Sequence, residues 1–439
     1  MFVFGNGRLI TFWDELPIIE DGAVGVNDSK IVEIGKTDDL LSKYSDVEFI
    51  DAHGGVIMPG LINAHTHISR ALKMSCESTF FCSSFDKHDS DLRFESFVDF
   101  DCGFASAYAF IANAVRNGTT AVLDMFGCSD PRGMLFMLAG AAADIGIRAG
   151  LGFSVSAVNG EEAYKAACNE NFDFIEYCKA DPSELIRPIF AIDDLYTIKS
   201  DPLREVFEKL NNNEFLMISL SENPEDGFFT LRQYGCSPVK RLFDIGLLNE
   251  NTLLAHCSCT TRDEAKLIAQ SGAVVIHTPS ADLLKSDKAP DIYAMIENGI
   301  MPCIGTDCTS DDVLTLPRDA LACLVNNNAQ DADRLSVDML IKSNAALASR
   351  IFNKEIGIIK PGACADIIVL DYKPFTAINE KNLYQHILFG MRGSQCTHNM
   401  VNGRLLMSDR KMLTCKEKQC LRIIDEASKK IMASLKKDK

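Results

Sequence analysis

Positive charge is scarce in this sequence: 44 Lys and Arg stand against 61 Asp and Glu, a formal net charge of −17. So acidic a chain has no default affinity for polyanions, which removes nucleic acid and anionic membrane from the expected partners. Long apolar runs are missing as well, and no stretch approaches the ~18 residues that suggest a membrane span. The opening segment from Met1 to Arg8 lacks the basic region and apolar core of a secretory signal. None of the sixteen cysteines forms a CxxC pair, and only Cys257 and Cys259 fall close together. They read as free thiols in a reducing cytoplasm, many of them serving as small buried hydrophobes. Low-complexity tracts are absent, so nothing argues for a disordered arm.

What remains is an ordinary globular composition, 47% hydrophobic and 24% charged over 439 residues, enough chain for a large core. Residues 1–55 carry short apolar or alternating runs such as Leu9-Ile10-Thr11-Phe12 and Lys30-Ile31-Val32-Glu33-Ile34, separated by Gly and Asn/Asp turns. Residues 357–415 have the same character, in Asp366–Asp371 and Met400–Leu406. The two flanks are expected to pair into one small β unit. Between them, over 56–356, apolar runs alternate with helical stretches as parallel βα units do. Candidate strands are Val56–Ile62, Ala121–Met125, Arg148–Phe153, Ile186–Ile192, Phe215–Leu220, Thr252–Ala255, Ala273–Ile276 and Met301–Ile304. Eight is the number that closes a TIM-type barrel. Residues 416–439 read as a Lys-rich amphipathic surface helix.

Histidine is sparse, with eight in all, yet four of them end apolar runs. His65 and His67 stand at i and i+2, so on a strand both imidazoles face one side and can reach one ion. Alone, such a pair is weak evidence for a metal. His256, His277 and Asp307 each follow another apolar run in the same way. Any one of them is most simply a hydrogen-bonded strand-end residue, but their recurrence at the end where barrel enzymes build active sites is hard to assign to packing.

The runs MPGLINAHTH (58–67), RNGTTAVLD (116–124), LLAHC (253–257), IHTP (276–279), IGTD (304–307) and GIIKPGACADIIVLD (357–371) resemble the deaminase and chlorohydrolase branch of the amidohydrolases. Within that branch, LYQHILFGMRG (383–393) and MVNG (400–403) resemble the SsnA-type aminohydrolases. The resemblance runs in order along essentially the whole chain. It implies a distorted TIM-type (β/α)8 barrel plus a small β-sandwich built from both termini. It also implies a hydrolase of non-peptide C–N bonds that acts on a small nitrogen-containing molecule, with a homodimer as the usual assembly. One divalent ion, zinc ahead of iron, would be bound by His65, His67 and Asp307. Glu222 would carry protons to the leaving amine, and His256 would polarise the substrate or position the water. His277 and Asp193 fall at substrate-contacting positions.

The pattern breaks at one ligand. In the branch, a histidine lies three residues before the catalytic glutamate; here that position is Ser219, a poor zinc ligand beside imidazole. Strand 4 ends in Asp193-Asp194-Leu195-Tyr196-Thr197 where the branch has a histidine. Ala281-Asp282 replaces the usual Ser-Asn pair after strand 7. Three outcomes stay open: Asp193 or His256 repairs the shell, metal binds through three ligands, or the fold has lost catalysis and serves as a binding or assembly subunit. A redox sensor built on Cys257 and Cys259 is a further alternative. The acids Asp193, Asp194 and Asp282 suggest a cationic ligand, or else exposed loops.

Overall fold

The computed structural model describes residues 1–44, 46–73, 84–180, 182–210, 214–285 and 289–437. Eight parallel strands form one sheet: β1 (Leu61–Thr66), β2 (Thr119–Phe126), β3 (Arg148–Val155), β4 (Ile186–Ile192), β5 (Phe215–Leu220), β6 (Thr252–His256), β7 (Val274–His277) and β8 (Cys303–Ile304). Each pairs with its sequence neighbour, the order that successive right-handed βα units produce. The ring closes where β8 returns to β1. Asp307 N donates to His65 O at 3.0 Å, His67 N to Asp307 O at 3.3 Å, and Asn63 Nδ2 to Thr306 Oγ1 at 2.7 Å. From the helix Asn344–Phe352, Asn344 clasps the seam, accepting from Ile304 N at 2.8 Å and donating to Ile62 O at 2.7 Å. Gly305 makes the approach possible, since a Cβ there would lie 2.5 Å from His65 N.

Side chains alternate along the strands as a two-residue period requires. Ile218 and Leu220 face the helical layer, whereas Met217 joins Leu123, Met125, Ile189, Leu253 and Ile276 inside the ring. Leu347, Ile351 and Phe352 plug the opposite end. Functional side chains are thereby left one open end, above the last interior layer.

Both flanks of the chain build a second, mixed sheet of nine strands. Its spatial order is Lys411–Met412, Arg404–Ser408, Cys396–Val401, Ile367–Leu370, Val56–Pro59, Phe2–Ile10, Ile18–Asn27 and Lys30–Lys36, with Glu48–Asp51 beside Phe2–Ile10. The run read as one strand over Val56–Ile62 is two. Val56–Pro59 belongs to this second sheet, and the barrel begins after Gly60, where a Cβ would strike Thr120 at 2.1 Å. The last barrel strand is also shorter than Met301–Ile304, because Pro302 has no N–H for the ladder. Arg148 and Asp366, 0% and 2% exposed, join the two sheets through bonds of 2.7 and 3.1 Å.

The terminal helix Glu417–Lys437 is amphipathic as expected, and its buried Ala427, Ile431 and Leu435 recur every four residues. It packs on Phe100–Arg116, tied at one end by Arg116 and Glu417 and along its length by Lys430 and Asp99. No helix among the described residues is long and apolar enough to cross a membrane, and every described cysteine is a free thiol.

Candidate active site

Several turns at the open end of the barrel pass through the left-handed region. Asp194, Ser221, His256 and Asp307, following or ending β4, β5, β6 and β8, have φ of +46°, +50°, +69° and +52°. Non-glycine residues seldom adopt this left-handed region, and they gather at functional sites when they do. The turns swing side chains from four strands toward one axis.

Three ligand-type side chains converge there, two from β1 and one from beyond β8. One ligand atom each from His65, His67 and Asp307 can be chosen so that all lie within 4.8 Å of one another, and all three residues are buried. The His67 Nε2 to Asp307 Oδ1 distance is 3.3 Å, and the rings of His65 and His67 meet edge to face at 5.0 Å. Ligands ~2 Å from a shared zinc stand at most ~4 Å apart, so small ring rotations close the shell. Two imidazoles and a carboxylate are the donor set of three-ligand catalytic zinc sites, whose fourth position is left to water or substrate. The residues present therefore fit a divalent ion.

Ser219 is at the inward-facing position of β5, two residues past Met217. Sulfur surrounds this corner: Ser219 Oγ lies 3.6 Å from Met125 Sδ, and His65 Nδ1 lies 3.2 Å from Met217 Sδ. Neither Asp193 nor His256 belongs to the ligand cluster. Asp193 is held instead by Arg70 Nη2 at 3.9 Å and Ser154 Oγ at 3.5 Å. Arg70 is buried and also grips Glu95 and Asp91 at 2.7 and 3.4 Å.

A cavity of about 250 Å³ is linked to this cluster through His256, whose ring lies 5.5 Å from that of His65 and whose Nε2 is 4.0 Å from the cavity-lining Glu222. Asp193, Ser219 and Glu222 line it, together with Asp194, Glu225 and Asp226. Tyr196 and Phe229, stacked at 5.3 Å and 21°, form an aromatic wall. The helix Pro224–Tyr234 supplies much of this lining. Asn223 caps it and Pro224 starts it, a signal present in the sequence that puts Glu225 and Asp226 in the first turn of a helix following Glu222. Asp226 Oδ2 accepts from Glu222 N at 2.9 Å. Burial, reinforced by the nearby charge of Glu222, pushes the Asp226 carboxyl up to about 7.

His256 comes within 4.0 Å of Glu222 Oε2 through Nε2. His277 is fully buried and sits behind the cavity rather than in its wall. Both rings rest on Asp282, His256 Nδ1 on Oδ1 and His277 Nδ1 on Oδ2, each at 3.0 Å. Asp282 is therefore neither an exposed loop acid nor a ligand-facing one. Its solvent exposure is 0%. Burial alone would keep it neutral, but hydrogen bonds from the two histidines outweigh that and hold its carboxyl far below the usual range. Burial pushes the thiols of Cys257 and Cys259 up to about 12 and 11, the reverse of what a reactive redox thiolate needs.

The match to known proteins is broad. Residues 56–406 match the amidohydrolase family model. A 5-methylthioadenosine/S-adenosylhomocysteine deaminase of Syntrophobacter fumaroxidans is 27% identical over 420 residues, 93% of each chain. A 5'-deoxyadenosine deaminase of Methanosarcina mazei is 24% identical over 440 residues, 98% of each. Among solved structures, a zinc-bound adenosine deaminase from Xanthomonas campestris superposes with a TM-score of 0.85 at 21% identity over 98% of both chains. A zinc complex of an atrazine chlorohydrolase from Arthrobacter aurescens gives 0.83 at 20% identity, over 98% of this chain and 100% of that one.

Proposed function

This chain belongs to the amidohydrolase family, and we propose that it is a zinc-dependent aminohydrolase that removes the exocyclic amine of a small nitrogen heterocycle. The observation that carries this reading is the convergence of His65, His67 and Asp307 on one point, linked through His256 to a cavity lined by Glu222. A zinc ion held there would act as a Lewis acid and bring the pKa of water toward ~7.

This chain's own groups supply the rest. Glu222 is half-open to the cavity, with its side chain 17% exposed, and can carry a proton to the departing nitrogen. His256, steadied from behind, faces Glu222 and the reacting carbon. The Tyr196–Phe229 wall offers a flat ring its stacking surface. Asp193, braced by Arg70, and Asp194, Glu225 and Asp226 ring the cavity with acceptors for amine or ribose hydroxyl hydrogens. The curated relatives are named for adenine nucleosides, which makes the adenine amine the first leaving group to assay.

Ser219 favours a second reading, a catalytically silent binding or assembly subunit. Three ligands already make a sufficient catalytic set, so the enzymatic reading takes precedence. The deciding experiment measures zinc content and ammonia release from 5'-deoxyadenosine and 5'-methylthioadenosine on protein purified without chelators. Stoichiometric zinc with ammonia release supports the proposal. Metal-free, inert protein that stays inert after zinc is added sinks it and leaves the silent subunit.

A further inference from the structure

The carboxylate of Asp282 is saturated. Oδ1 accepts from Thr278 Oγ1 at 2.9 Å and faces His256 Nδ1 at 3.0 Å; Oδ2 accepts from Thr278 N at 3.3 Å and faces His277 Nδ1 at 3.0 Å. An ionised carboxylate has about four acceptor sites and no donor. Thr278 Oγ1 also lies 2.9 Å from His256 Nδ1, but its single proton goes to Oδ1, so each imidazole turns an Nδ1–H onto the carboxylate. We propose that Asp282 is a positioning residue that locks His256 and His277 into one shared tautomer, Nδ1–H, so that His256 meets the reaction site through an accepting Nε2.

An amide at this position could not hold the same pair, because it offers one accepting atom and one donating atom. The structure also says which ring would change. Thr278 N is a fixed donor and sits on Oδ2, so an asparagine would place its oxygen there and keep His277 as Nδ1–H. The NH2 would then fall on the Oδ1 side against His256 Nδ1, while the Thr278 hydroxyl can rotate to accept. His256 would have to move its proton to Nε2, replacing an acceptor with a donor 4.0 Å from Glu222. The unusual acid of Ala281-Asp282 thereby becomes a device that sets the hydrogen-bonding sense of a residue at the active centre. His277 fits the same account: its Nε2 is buried without a hydrogen-bond partner among the described residues, as an idle acceptor rather than a stranded N–H.

The test is Asp282→Asn in the full chain, read in two ways. Ring-nitrogen 15N shifts, recorded without substrate, are expected to move His256 from Nδ1–H to Nε2–H and leave His277 unchanged. This arm does not depend on the deaminase reading. The kinetic arm does: with 5'-deoxyadenosine, kcat is expected to fall about 10–100-fold, the usual effect of losing such a support, with KM within about 3-fold of the parent. Thr278→Val keeps the carboxylate and should keep both Nδ1–H tautomers, so it serves if the asparagine variant does not fold. An unmoved His256 in Asp282→Asn, or a moved one in Thr278→Val, overturns the proposal. So does an asparagine variant with parental kcat.

Discussion

Asp307 and His65 face each other across the seam of the barrel, with the backbone N–H of one bonded to the carbonyl of the other at 3.0 Å. The bond that closes the ring also brings the carboxylate of the last strand to the imidazoles of the first. Fold closure and ligand assembly are one event. Asp307→Asn keeps the backbone bond and removes the anionic ligand, so the variant should fold and lose metal. Elemental analysis is expected to show zinc falling well below one per chain. Activity should drop by at least about 100-fold, more than the usual cost of disturbing a ligand's support.

Ser219 points inward on β5, where a fourth ligand would be. Ser219→His, with Met125→Ala to clear the sulfur 3.6 Å away, should tighten zinc by at least about 10-fold in a competition titration with a chelator. Unchanged affinity would show that β5 stands too far from the ion to coordinate it.

Asp226 gives the enzyme a pH-dependent stability. Its carboxyl is held at about 7 by burial and by the charge of Glu222, above its value in the unfolded chain. The folded state therefore holds the proton more tightly. The group's contribution is complete below the unfolded pKa and disappears as pH rises through about 7. Asp226→Asn removes this dependence. Denaturant unfolding should find the variant close to the parent near pH ~4 and up to roughly 4 kcal/mol more stable near pH ~8.

The Arg148–Asp366 pair lies between the two sheets with almost no solvent contact. Arg148 also donates to Glu184 O and Asn402 Oδ1, each at 3.0 Å. Removing the cation strands a buried carboxylate, so Arg148→Ala should cost about 3–5 kcal/mol in thermal or denaturant unfolding. Replacing both partners with apolar residues should cost much less.

Much of this architecture is legible in the sequence because each barrel strand is a local, largely apolar run. His65, His67 and Asp307 could be read for the same reason: the two histidines close the run of β1 and Asp307 follows that of β8. The division at Gly60 could not, because Val-Ile-Met-Pro-Gly-Leu-Ile is one continuous apolar run and only its partners, Leu9 and Val369 on one side and Ala121 on the other, separate the two halves. Asp282 was hidden in the same way. Its chemistry depends on two imidazoles from neighbouring strands, and nothing within five residues of it reveals His256. The acid-lined wall required knowing that Asp194 turns through a left-handed conformation and that the helix after Asn223 leans over β5.

The second sheet has a consequence for synthesis on the ribosome. Val56–Pro59 lies between a strand made before it, Phe2–Ile10, and one made some 300 residues later, Ile367–Leu370. Through most of translation the nascent amino-terminal strands hold out an open, strongly apolar edge that only the late-arriving segment can cover. Such edges recruit other chains. A chain halted before residue 367 should therefore clump even with all eight barrel strands already made, and the finished polypeptide protects itself by returning to where it began.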